Sequence, residues 1–212
     1  LMLARNNLLS SGKSMNEEDT LTLLVTENYI EKAILLAKIC DEKIQVFGLT
    51  MVFKKLTQGV LDAQTQNRDI SYVQSKWNEL KRYLELYDSG DKNKRYYFVV
   101  AEEILSRGGS RIPEWISSVL RFHSAALLSL YLSHHQFEEA ADLVLYLLSH
   151  EVHTKDVWLP YTQIDQLLAS TTDEEIVWKE KLDCIRNLTE KHLGGLLVHV
   201  PDEQFEFENQ QK

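Results

Sequence analysis

Turn-forming residues are scarce in this chain, with 8 glycines and 3 prolines spread over 212 residues. A β-sandwich or barrel needs frequent turn signals, so those folds are disfavoured and helix formers fill the space instead. Cysteine is nearly absent too. Cys40 and Cys184 both sit in apolar helical patterns, which favours reduced, buried thiols in a nuclear or cytosolic compartment over a disulfide scaffold. Positive charge is in deficit, at 23 basic against 32 acidic residues, a formal charge of −9. Nucleic-acid binders need a cationic face to displace counterions from phosphate, and none is visible, so no direct nucleic-acid partner is expected. The densest basic patch, Lys92-Asn93-Lys94-Arg95, lies beside Asp88 and Asp91 and reads as a solvated loop before a helix. Long apolar runs are missing as well. The longest uncharged stretch, 122–137, is too short for a membrane span and carries His123, His134 and His135, so no membrane insertion is expected. The first nine residues hold Arg5 and paired asparagines without a cleavage signature, so no secretory leader is expected. Lacking an initiator methionine, the chain reads as a fragment or a processed product.

What is present is apolar residues at helical spacing almost throughout, broken by short polar links. The pattern predicts helices over residues 2–9, 20–26 with Asp19 as cap, 29–40, about 43–63, 69–87 and 93–106. Others are predicted over 114–121, 124–133, 137–150, 161–170 and 173–193. Residues 69–87 are strongly amphipathic, with Val73, Trp77, Leu80, Leu84 and Tyr87 on one stripe. Pro113 sits where a helix start tolerates it, with Glu114 in the first turn facing the dipole favourably. The fold class is therefore all-α. Residues 1–200 are expected to form one helical segment, and the acidic tail 201–212 to be disordered.

One internal echo refines this. The stretch Asn28-Tyr29-Ile30-Glu31-Lys32-Ala33 aligns with His135-Gln136-Phe137-Glu138-Glu139-Ala140, each following a short apolar helix and a polar turn. That is the grammar of an αα-hairpin: Ile30 or Phe137 wedges the turn, the glutamate supports the helix start, and Ala33 or Ala140 lets two backbones approach closely. The copies are 107 residues apart (135 minus 28), so the chain reads as an irregular α-solenoid of stacked antiparallel helices and not a fixed-period array.

Sites for chemistry are hard to find. His134-His135 and His150-x-x-His153 are the histidine clusters, without a cysteine pair at zinc spacing, so no metal site is expected. Gly108-Gly109 and Gly194-Gly195 follow helices, where glycine serves as a C-cap, and neither follows a strand or precedes a Lys-Ser/Thr pair. Glu102-Glu103, Glu138-Glu139 and Glu174-Glu175 lie near helix starts or on exposed faces and read as solvated surface. No catalytic residue, cofactor or enzymatic activity is expected. Trp77 reads as core and Trp115 as the anchor of a helix start. Trp158 and Tyr161 flank Pro160 in a link that is either pinned by its own aromatics or offers a partner anchor, the former being favoured.

Several segments together resemble a known family. They include Ile30-Glu31-Lys32-Ala33-Ile34-Leu35, Trp77-Asn78-Glu79-Leu80 and Ile104-Leu105-Ser106-Arg107-Gly108. Ile112-Pro113-Glu114-Trp115-Ile116, Phe137-Glu138-Glu139-Ala140-Ala141-Asp142-Leu143-Val144 and Val157-Trp158-Leu159-Pro160-Tyr161 follow in the same order. Collinear over roughly residues 15–170, they are similar to the C-terminal helical region of the 160-kilodalton nucleoporin family, scaffold subunits of the outer-ring Y complex of the nuclear pore. Two features depart from the family: a shorter link between Leu148 and Val157, and an acidic tail where the family ends more basic. They bear on the partner contacts of the last helix more than on the fold. The resemblance implies a larger protein with an N-terminal β-propeller, of which this chain is the last part. It further implies a hetero-oligomer in which the C-terminal end joins two other helical scaffold nucleoporins at the hub of the Y. It implies location at the nuclear envelope, a link to mRNA export and, in animals, to kinetochores in mitosis. A soluble helical-repeat adaptor that binds short peptides in a groove is the alternative.

The last predicted helix is the expected partner contact. Trp178, Leu182, Ile185, Leu188 and His192 recur at helical spacing and are expected to pack on the body, while Val177, Lys181 and Cys184 mark a weaker second face. Beyond Gly194-Gly195, Leu196, Leu197, Val198 and Val200 form an apolar run with no helix of its own to join. Such a run folds back or docks on a partner. The partner-contact candidates are therefore Leu182, Cys184, Ile185 and Leu188, the run Leu196, Leu197, Val198 and Val200, and the aromatics Trp158 and Tyr161.

Overall fold

The computed structural model describes residues 16–88, 91–107, 111–151, 159–170 and 179–197. These form ten α-helices and a 3-10 turn, without a strand among the described residues. The fold class is the all-α solenoid type, built of helices packed on their nearest and next-nearest neighbours in sequence. The chain divides into two compact units, Leu1–Leu120 and Arg121–Lys212, each described by itself. The helix predicted over 2–9 and the tail 201–212 lie outside the described residues.

The first unit holds α1 (Glu17–Thr26), α2 (Ile30–Ile39), α3 (Glu42–Thr65), α4 (Ile70–Asp88), α5 (Arg95–Ser106) and α6 (Glu114–Leu120). Helix α1 starts three residues before the expected point, because Asn16, not Asp19, caps it. The Asn16 Oδ1 accepts the Asp19 N–H at 2.7 Å, and three acidic residues then fill the first turn against the helix dipole. Asp41 caps α3 in the same way, accepting the Ile44 N–H at 3.0 Å.

Three helix ends share one turn. Asn28, Asn67 and His135 all adopt left-handed backbone, with φ of 60°, 49° and 55°. In each, the next residue's N–H reaches back five residues: Tyr29 donates to the Leu24 carbonyl, Arg68 to Ala63, and Gln136 to Tyr131. The left-handed residue itself donates three residues back, to Val25, Gln64 and Leu132. This double bond is the Schellman motif, which satisfies orphan carbonyls and turns the chain sharply. Two copies coincide with the echo read from the sequence; the one at Asn67 has no such echo.

Helix α3 is the axis of the first unit and packs against α1, α2, α4 and α5. Its Leu49, Val52, Phe53 and Val60 are buried, and the Phe53 ring stacks on Tyr96 of α5 at 5.0 Å. Gly48 is where three helices meet. A Cβ there would stand 2.9 Å from a Leu21 methyl of α1 and 3.3 Å from the Ala37 Cβ of α2. Ala33 is fully buried on the same side of the hairpin as Ala37.

The stretch before α5 differs from a simple solvated loop. Asp88 is fully buried at the end of α4, and its Oδ2 accepts the Tyr97 N–H in the first turn of α5 at 3.0 Å. Asp91 accepts the N–H groups of Asn93 and Arg95, and the Lys94 ammonium turns inward to the Asp88 carbonyl at 2.8 Å. Two carboxylates therefore cap a helix whose own N-cap residue, Lys94, has left-handed backbone and no capping side chain.

The second unit holds the 3-10 turn Arg121–His123, α7 (Ser124–Ser133), α8 (Phe137–Glu151), α9 (Tyr161–Ser170) and α10 (Lys179–Leu197). Helix α8 packs on α7, α9 and α10, and its Ala140, Ala141, Val144, Leu147 and Leu148 are buried. Helix α10 does not stop at Gly194-Gly195 as expected but runs through both glycines to Leu197. An interior glycine costs a helix only about 1 kcal/mol relative to alanine, which continuing backbone hydrogen bonds offset.

Candidate functional site

The described residues hold no group of three or more His, Cys, Asp or Glu placed to bind a metal ion. His134 ends α7, and the His135 ring meets Phe137 edge-on at 5.7 Å, so this pair belongs to the hairpin turn. His153 lies outside the described residues. No described helix is long and apolar enough to cross a membrane.

Helix α10 is pinned on α8 by its own first turns. Leu182 and Ile185 are buried, Leu188 is half-buried, and the Lys181 ammonium reaches Asp142 of α8 at 2.6 Å and Glu138 at 3.6 Å. The hydrogen bond to Asp142 is the main reason the Lys181 ammonium holds its proton more tightly than usual. Lys181 thus belongs to the packed side and not to a second, weaker face. Cys184 is exposed, contrary to the buried thiol read from the sequence. Two residues beyond Leu182 on a helix is about 200° of rotation, which carries it away from the core face. The outward face of α10 is Glu180, Asp183, Cys184, Asn187, Glu190 and Lys191, polar and more acidic than basic in place of the weaker second face expected, with Asp183 held by Arg186 at 2.9 Å. Leu196 and Leu197 lie on the same helix, while Val198, Val200 and Trp158 lie outside the described residues. Tyr161 is half-buried at the first position of α9, behind buried Leu159 and Pro160.

Among the described residues of the first unit are two concave features that were not read from the sequence. One is a cleft of about 390 Å³ lined by Gln64, Gln74, Trp77, Arg111, Pro113 and Trp115. Trp77 is half-buried and not core, because it meets the Trp115 ring edge-on at 6.2 Å across this cleft. Trp115 does anchor the start of α6, touching Tyr97 at 6.4 Å as well, with Lys81 over its face. The other is an open groove between α2 and α4, lined by Ile34, Leu35, Tyr83, Leu86 and Tyr87 with Glu31 and Glu85 at its rim. A signal for it was available: Leu35 and Ile39 are one turn apart on α2, off the buried stripe of Ala33, Ile34 and Ala37.

This arrangement of short helical hairpins is matched by the family model of the Nup160 C-terminal TPR, over residues 43–192. The chain belongs to this family. The Nup160 match runs from the first turn of α3 into α10, so it takes in both units and the segments Phe137 to Val144 and Val157 to Tyr161. The nuclear pore complex protein Nup160 of Homo sapiens is 30% identical over 188 residues, covering 73% of this chain and 13% of that protein. Nup160 of Mus musculus is 30% identical over 148 residues, covering 60% of this chain and 10% of its own length. The chain therefore spans a small part of the length of these relatives.

Proposed function

We propose that this chain is a structural segment of a scaffold nucleoporin, working at the nuclear envelope by holding other helical subunits of the Y complex and so supporting nucleocytoplasmic transport, mRNA export included. The observation that carries this reading is the family match over α3 to α10. Enzymatic activity forms no part of the role.

The partner contact lies at the far end of α10. Leu182 and Ile185 hold the helix on α8, Leu196 and Leu197 are its last two described residues, and Val198 and Val200 follow them in the sequence. An anchored helix presents its end with little ordering cost, which favours affinity. The acidic outward face of α10 suits a basic rim on the partner. The test is co-elution of the full chain with candidate helical scaffold nucleoporins, repeated after truncation at Lys191. A truncated chain that keeps its helical circular dichroism but no longer co-elutes is the expected result. Undiminished co-elution by that chain would remove the apolar end from the interface, and failure of the full chain to join any scaffold nucleoporin would remove the scaffold role.

A further inference from the structure

The groove between α2 and α4 exposes more apolar surface than a lone helix pair keeps in water. Leu35 and Leu86 on its two walls are 64% and 62% exposed, and Ile39, one turn along α2, is 82% exposed. The cations near it are already engaged: Arg82 lies over the Tyr83 ring at 5.1 Å and Lys38 over the Tyr87 ring at 4.9 Å. Among the groove residues Glu31 and Glu85 form an acidic rim beside the apolar floor, Glu85 with the exposed Lys81 ammonium 3.8 Å away and Glu31 as the acid on the α2 side.

We propose that residues 1–9 of this same chain lie along that groove. The segment is apolar on one side, since Leu1, Ala4 and Leu8 fall at helical i, i+3, i+7 spacing with Met2 and Leu9 adjacent. Its charges complement the rim, because Arg5 and Lys13 are the charged residues of 1–15 and both are basic. Its tether ends in the right place. The chain enters α1 at Asn16, and α1 packs back on α2 across the turn at Asn28, which sets the start of α1 beside the end of α2 at Cys40. From Cys40 back to Leu35 is about 8 Å along the helix axis. The link of residues 10–15 spans up to about 20 Å when extended, so residues 1–9 reach the groove without strain. A tethered segment also binds at a high effective concentration, which favours it over a free competitor.

The test places the photocrosslinker benzoylphenylalanine at position 86 of the full chain, where the exposed leucine leaves room for it. Isotopically labelled and unlabelled chains are mixed before irradiation, and the crosslinked peptides are read by mass spectrometry. The expected result joins position 86 to residues 1–9 within single molecules, at every protein concentration, with the crosslink lost in Arg5→Glu. Crosslinks between labelled and unlabelled chains would overturn the proposal in favour of a second copy in the groove. Absence of any crosslink to residues 1–9, in a chain whose circular dichroism matches the parent, would overturn it in favour of an external partner.

Discussion

Gly48 and Gly59 lie about three turns apart on α3 and face opposite circumstances. Nothing lies within 4 Å of a Cβ added at Gly59, so Gly59→Ala should raise stability by about 0.5–1 kcal/mol through helix propensity alone. At Gly48 the same change meets Leu21 and Ala37, both fully buried, and overpacking of about 1–3 kcal/mol outweighs that gain. Urea melts of the two variants should move in opposite directions; a stabilised Gly48→Ala would show that the α1–α2–α3 junction yields. Asp88 and Asp91 make a second contrast. Burial holds the Asp88 carboxyl above the usual aspartate range, whereas the Asn93 N–H, ahead of the Arg95 N–H, holds Asp91 below it. A raised carboxyl contributes stability fully below its unfolded value and loses it as pH rises through the folded value. Asp91 does the reverse, contributing above the ordinary aspartate value and losing it as pH falls. Asp88→Asn keeps an acceptor for the Tyr97 N–H and gives the other position, where the Asp88 Oδ1 has no partner, an amide in place of a charge. Relative to the parent, that variant should gain stability as pH rises from about 4 to 7, in denaturant melts across that range. A difference that stays flat with pH would mean that Asp88 is not titrating there.

At the scale of elements, the repeated turn is the feature that decides how helices follow one another. Asparagine and histidine are both enriched in left-handed backbone, yet each carries a Cβ that costs energy there and that glycine lacks. His135→Gly should therefore stabilise the α7–α8 hairpin by about 1 kcal/mol, read as a rise in melting temperature. An unchanged or lowered melting temperature would mean that the His135 contact with Phe137 outweighs the backbone cost. The same element shows what the sequence can and cannot carry. Helices α7 and α9 begin and end at the residues predicted, because apolar spacing and polar links agree there. The turn at Asn67 was invisible because the residues after it lack the alanine that drew attention to the other two. The end of α10 was misplaced because glycine pairs serve equally as caps and as tolerated interior residues, and only the backbone tells which. The groove between α2 and α4 pairs side chains some fifty residues apart, Leu35 with Leu86, a juxtaposition that helical periodicity does not encode. Asp88 was likewise read by its neighbours in sequence, whereas its capping partner Tyr97 is nine residues on.

For the whole molecule, charge is divided as unequally as the chain is. Residues 1–120 contain 16 acidic and 16 basic side chains, and residues 121–212 contain 16 and 7, so the full deficit of −9 resides in the second half. Under the proposed role, association with a scaffold partner should slow markedly between about 0.05 and 0.5 M salt while dissociation changes little, as expected for long-range steering. Salt-independent association in stopped flow would argue that the acidic half faces solvent in the assembly. The central position of α3 has a consequence for synthesis. A nascent chain emerges in order, so α1 and α2 can close on α3 as soon as Thr65 clears, whereas α5, which supplies Tyr96 to stack on Phe53, follows some forty residues later. During that interval one flank of α3 is bare. Chains released after residue 65 should be helical yet readily cleaved by protease within α3, and chains released after residue 107 resistant there; equal susceptibility would mean that α3 needs neither flank. The helix that organises the finished unit is also the place where an unfinished one is vulnerable to chaperone capture or degradation.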